Sequence, residues 1–159
     1  MKKCIAFLLV IYVMFVMVGC QDDIVGETRI YLPFNDDQID YIEMFRYTDD
    51  ISSAEKKIVT EVESVSHLYG TFERLSVEPP QEQLKDNVTE VIAFRFYLSE
   101  STEEPYDIIY YGYGVKDGML KLNSSEDYYV TNADISWNWC YLDRNLKAMP
   151  VDMNEILLQ

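Results

Sequence analysis

Histidine and cysteine are almost absent: the chain has one His and three Cys in 159 residues. A zinc site draws several of these side chains together at set spacings, so none can be assembled. A single imidazole, His67, leaves no Ser/His/Asp constellation, and the G-x-S-x-G elbow is missing too. Pairing His67 with Cys140 would join two distant positions. Cys140 sits between Trp139 and Tyr141 and reads as a small buried hydrophobe, and His67, off an apolar helical stripe, reads as an exposed, ordinary histidine. No G-x-x-x-x-G-K-[ST] loop and no G-x-G-x-x-G occur, which argues against nucleotide binding. Gly112-Tyr113-Gly114 falls inside a strand pattern, where it marks a bulge or a close backbone contact. Asp36, Asp37 and Asp40, or Asp49 with Asp50, offer oxygen ligands, but the calcium-loop spacing is lacking. No metal and no cofactor are expected.

Basic residues are scarce as well. Thirteen Lys and Arg face 28 Asp and Glu, a formal charge of −15. Nucleic acids and anionic lipid head groups bind through Lys and Arg, so neither is an expected partner. A charged partner would be cationic, although the first effect of such acidity is to keep the protein soluble. Acid pairs arise everywhere in so acidic a chain, so no catalytic residue is named. With 48% hydrophobic and 14% aromatic residues, the chain has the composition of a folded protein.

Charge is also missing from one long run near the start. Lys2 and Lys3 precede an uncharged, largely apolar stretch from Cys4 to Val18, and Gly19-Cys20 closes it before Gln21-Asp22-Asp23. That order is the layout of a signal peptide. The stretch is shorter than the roughly 20 residues that span a bilayer, so a permanent transmembrane helix is the weaker reading.

Met17-Val18-Gly19-Cys20 resembles the lipobox of bacterial prolipoproteins, with Met17 where leucine or valine is usual. The resemblance implies removal of residues 1–19 and a diacylglycerol thioether on Cys20, with a further fatty acid such as palmitate on the new terminus. Two or three chains on one residue hold a protein stably on a bilayer, whereas one binds marginally. The expected location is the outer side of the cell membrane or the outer membrane. With Cys4 removed and Cys20 acylated, no intramolecular disulfide can form. Gln21 to Glu27 reads as a tether, and its acids resemble the surface-export signal of Bacteroidetes lipoproteins. Residues 28–159 form one domain.

Within that domain, Thr28 to Phe34 and Ile39 to Tyr47 read as strands around the turn-forming Asn35-Asp36-Asp37. Ser52 and Glu55 have capping-box spacing, and Ile58, Val62, Val65, Tyr69 and Phe72 follow at helical intervals, leaving Lys56, Lys57, Glu61 and Glu63 largely off the packed face. Gly70 reads as the terminator, although the apolar pattern also runs on to Leu75. Thr89 to Leu98, Tyr106 to Val115 and Met119 to Leu122 form a meander, its last turn placed at Asp117-Gly118. Ile135 to Leu142 alternates like a strand, although Ile135, Trp139, Leu142 and Leu146 also fit a helix begun by Asp134. The predicted fold is α+β, one helix packed on an antiparallel sheet of four to five strands. In size, acidity and element order the domain is similar to small envelope lipoproteins of unknown function from Gram-positive and Bacteroidetes bacteria.

The expected function is a lipid-anchored binding or accessory module for an envelope protein or glycan, with Tyr111, Tyr113, Trp137 and Trp139 as interface residues. The alternative is a small carboxylate-dependent hydrolase of envelope glycans or peptides. The anchor has its own test. Intact mass of the membrane-bound protein should show loss of Met1 to Gly19 and added acyl mass on Cys20, and Cys20→Ser should leave the leader attached or the protein free of the membrane. An unmodified amino terminus on the mature wild-type protein refutes the anchor.

Overall fold

Period-two patterning runs through most of the chain from Ile39 to Thr131, and it builds a sheet. The computed structural model describes residues 28–47, 54–99, 104–123, 125–142 and 144–151. The leader, Cys20 and the tether lie outside the described residues, as does Ser52.

Seven antiparallel strands form the main sheet, in the order β8-β7-β6-β5-β2-β3-β9. They are β2 (Ile39–Tyr47), β3 (Glu55–Val59), β5 (Glu90–Leu98), β6 (Tyr106–Gly114), β7 (Asp117–Leu122), β8 (Tyr128–Thr131) and β9 (Met149–Pro150). A separate pair joins β1 (Thr28–Arg29) to β4 (Ser76–Val77). Among the described residues there are two helices, α1 (Val62–Glu73) and α2 (Ser136–Leu142), with a short 3-10 turn at Asp36–Gln38. The architecture is α+β and antiparallel, with more strands and one more helix than the pattern suggested.

The inner face carries Ile42 and Met44 from β2, Ile92, Phe94 and Phe96 from β5, and Ile108 and Tyr110 from β6, all fully buried. Helix α1 lays Val65, Leu68 and Phe72 on this face. The Phe72 ring meets Phe94 edge-on at 4.9 Å. Each such side chain contributes roughly 1.5–3 kcal/mol by leaving water. From Ile30 to Phe34 every second side chain is buried, but the expected strand is confined to Thr28 and Arg29, which alone find ladder partners, and the chain bends at Pro33 and Phe34. A register shift between Ile39 and Tyr41 turns Ile39 inward with Ile42 and Met44.

Four expectations change. Glu55 to Val59 is a strand, not the first helical turns, because Lys56 and Ile58 alternate with Lys57 and Val59 across β2. Helix α1 therefore starts at Val62, whose side chain is 80% exposed. Lys57 points inward and is completely buried. Gly70 lies inside α1, which runs on to Glu73 and is capped by Arg74.

The β6–β7 turn is at Val115-Lys116, where Lys116 takes a φ of 57°. Gly118 lies within β7 for another reason: the Tyr110 ring is folded flat over it, and an added Cβ would lie 2.6 Å from Cζ. The expected bulge at Gly112 to Gly114 is present as a register shift against β7.

Both sheet edges are blunted. Beyond β8, the Glu78 amide donates to the Val130 carbonyl at 3.0 Å, and Gln81 and Tyr128 exchange two backbone hydrogen bonds. On the other side, β9 is two residues long and ends in Pro150, which has no N–H to offer.

Tyr110 is walled in, so it cannot swing away from a methyl group on Gly118. Gly118→Ala should cost about 1–3 kcal/mol of stability by overpacking. The penalty should shrink on a Tyr110→Leu background, because the two positions share one volume. Urea unfolding of the four proteins of this cycle measures it, and additive losses refute the contact.

Candidate functional site

Of the expected interface residues, the structure separates one pair from the other. Tyr111 and Tyr113 stand half-buried on the outer face of β6. Trp137 and Trp139 belong to α2, on the inner side of the sheet. The sequence fits residues 135–142 to both a strand and a helix; the buried set Ile135, Trp139 and Leu142 follows the helical alternative. Trp139 is in the core at 1% exposure and is no interface residue. Cys140 is exposed on the helix rather than buried.

The same turn of helix puts Trp137 and Tyr141 side by side in solvent, 50% and 39% exposed. Their rings stack at 4.8 Å with planes 27° apart. His67, from the flank of α1, completes the cluster, 4.7 Å from Tyr141 and 5.9 Å from Trp137. It is half-buried, not exposed, and its Nε2 has no hydrogen-bond partner among the described residues. The i, i+4 spacing of Trp137 and Tyr141 carries the signal for this site once the segment is read as a helix.

The outer face of the sheet is flatter and already paired. Tyr41 and Tyr97 stack across β2 and β5 at 4.2 Å. The Tyr97 hydroxyl donates to Glu43 at 3.0 Å, and Lys56 reaches the other Glu43 oxygen at 3.5 Å. Arg95 grips Asp107 with two bonds of 2.9 and 3.0 Å. Farther along, Tyr111 meets Tyr128 edge-on at 5.9 Å, Lys121 lies over Tyr128, and the Tyr113 hydroxyl donates to the Lys85 carbonyl.

Several hollows open on the described surface. One of about 610 Å³ runs between the end of α1, β4 and the segment leading into α2. Another of about 550 Å³ lies against Asp36, Asp37 and Glu73. The third, about 220 Å³, is formed by Asp36, Asp37, Asp40 and the start of α1. Despite these acids, no group of three or more His, Cys, Asp or Glu among the described residues converges on a metal position. No helix among them is long and apolar enough to cross a membrane.

Hydrolysis by two carboxylates needs acids free to exchange protons across a cleft. Glu43 and Asp107 flank Arg95 in register on three adjacent strands. Burial raises the Asp107 carboxyl above its ordinary range, against the opposing pull of the Arg95 fork. Both Asp107 oxygens are nevertheless occupied, Glu43 is held by Tyr97 and Lys56, and none of the three hollows reaches either acid. The pair is built as a ladder of ions, not as an acid and a base.

Two tyrosines of this face report on its burial. Desolvation, with the Glu43 bond and charge, pushes Tyr97 up to about 12, and desolvation beside Tyr128 and Tyr113 pushes Tyr111 up to about 12. Above the ordinary value of 10.0 the unfolded chain loses these protons first, so their contribution to stability is present below pH 10 and is lost as pH rises toward 12. Urea midpoints measured from pH 8 to 12 should fall over that window, and the fall should be shallower in Tyr97→Phe and Tyr111→Phe. Unchanged slopes in both variants refute the assignment. No family model matches the chain, and no curated protein or solved structure is similar to it.

Proposed function

We propose that this protein is a lipid-anchored binding or accessory module of the bacterial envelope, held by acyl chains on Cys20 and engaging an envelope protein or glycan through Trp137, Tyr141 and His67. The observation that carries this reading is the exposed aromatic cluster on two packed helices. Trp and Tyr dominate the energetics of recognition because they offer large, rigid area with a polar tip. A stacked pair fixed in place loses little conformational freedom on binding. Aromatic rings also suit a partner approaching a chain that carries 28 Asp and Glu, since they attract neutral and cationic groups alike. The paired ions of the outer sheet face support binding over hydrolysis, because no described carboxylate there is left to act as an acid.

The full-length protein, purified in detergent, should retain a defined component of envelope extract that a charge-matched control protein does not. Trp137→Ala with Tyr141→Ala should reduce that retention about tenfold or more, as loss of a binding hot spot does, with the unfolding midpoint little changed for the exposed Trp137. Retention equal to the control, or equal between wild type and the double variant, removes the reading.

A further inference from the structure

Any tyrosine can lose an electron, but the outer sheet face prepares one pair of them to react together. Tyr41 and Tyr97 stand directly opposite each other on β2 and β5, so the backbone ladder holds the two side chains in register. Their planes are 13° from parallel and their centroids 4.2 Å apart, which lays carbons of one ring over those of the other. Both side chains are half-buried, so the pair remains open to a small reagent. Tyr111 and Tyr128, the neighbouring pair on this face, meet edge-on instead, at 66° and 5.9 Å.

The proton of this pair also has a place to go. The Tyr97 hydroxyl donates to one Glu43 oxygen at 3.0 Å, while Lys56 holds the other at 3.5 Å. Among the described residues Tyr69 and Tyr113 donate to backbone carbonyls, and only Tyr97 donates to a carboxylate. A phenol that has lost an electron is a strong acid, and a base already within hydrogen-bond reach takes its proton without rearrangement. We propose that Tyr41 and Tyr97 form an oxidative cross-linking site, in which Glu43 accepts the Tyr97 proton and a one-electron oxidant joins the two rings as dityrosine. Each phenol gives one electron to an equivalent of oxidant; the Tyr97 proton passes to Glu43 and the Tyr41 proton to solvent. The two phenoxyl radicals carry spin on the ring carbons beside the oxygen. One bond forms between two such carbons, and the hydrogen on each moves as a proton to the oxygen of its own ring, so the pair has lost two hydrogens in all. Stacking makes the coupling intramolecular, and a partner held in place reacts far faster than one arriving from solution. The site is independent of the Cys20 anchor and of a partner on Trp137 and Tyr141.

The test illuminates the full-length protein in detergent with tris(bipyridyl)ruthenium and persulfate, which together generate a one-electron oxidant. Wild type should gain dityrosine fluorescence and lose the mass of two hydrogens without dimerising. Its tryptic digest should hold a cross-link between the peptides bearing Tyr41 and Tyr97, mapped by fragmentation to those two rings. Tyr41→Phe and Tyr97→Phe should each lose this cross-link, while Tyr111→Phe should keep it. Glu43→Gln retains a hydrogen-bond acceptor but no base, and should form the cross-link about tenfold more slowly, with solvent left as the weaker acceptor. Absence of a bond between these two rings, a larger yield between other tyrosines, or an unchanged rate in Glu43→Gln overturns the proposal. If a variant fails to fold, the mapping of the wild-type cross-link decides alone.

Discussion

Lys57 holds the second helix in place. A seven-residue helix cannot persist unaided, since isolated helices are marginal below about 12–15 residues, so α2 depends on what the sheet presents to it. From β3, the fully buried Lys57 ammonium donates to the Trp139 carbonyl at 2.7 Å and lies 4.1 Å from the centre of the Trp139 ring. That carbonyl is among the last of the helix, which lack partners of their own. At the opposite end the Ser136 hydroxyl donates to Glu90, which Arg46 holds at 2.6 Å, and Asp134 caps the Trp137 amide. Negative charge at the start and positive charge at the end match the helix dipole. The aromatic cluster inherits this arrangement, because Trp137 and Tyr141 ride on α2.

The two faces of the sheet divide the remaining work. Aromatic and aliphatic side chains on the inner face meet α1 and α2 and form the principal core. On the outer face a smaller cluster of Phe45, Tyr47, Ala54 and Ala93 gives way to ladders of tyrosines and ions. The Arg95–Asp107 and Tyr97–Glu43–Lys56 groups satisfy one another within the plane of the sheet, while the buried Tyr47 hydroxyl on the same face and His67 Nε2 on the helical side have no partner among the described residues.

Much of the sheet was legible in the sequence because its signal is local. β2 and β5 show alternation that their own residues carry, and the bulge at Gly112 to Gly114 announces itself in composition. Failures came where two periods fit one segment. Glu55 to Val59 contributes apolar residues to a helical stripe on paper, yet β2 offered an open edge for it. Ile135 to Tyr141 alternates as a strand would, but its buried residues are those of the helical reading. Asp117-Gly118 resembled a turn because the need for glycine arose elsewhere, in the Tyr110 ring above it. Of the two tryptophans expected at an interface, Trp137 is exposed and Trp139 is buried, because the helical period sends them to different sides.

The β1–β4 pair stands apart from the main sheet, and it is where the described fold begins. Thr28 and Arg29 face Val77 and Ser76, and the Ile30 amide adds one bond to the Leu75 carbonyl. A pull applied to the chain ahead of Thr28 would reach this small pair before it reaches the seven strands behind it. In mechanical terms β1 is a fuse: under load it can peel away from β4 while the ladders of β2, β5 and β6 stay closed. Anchored through Cys20 as proposed, the protein would yield at β1 and keep Trp137 and Tyr141 in place on α2.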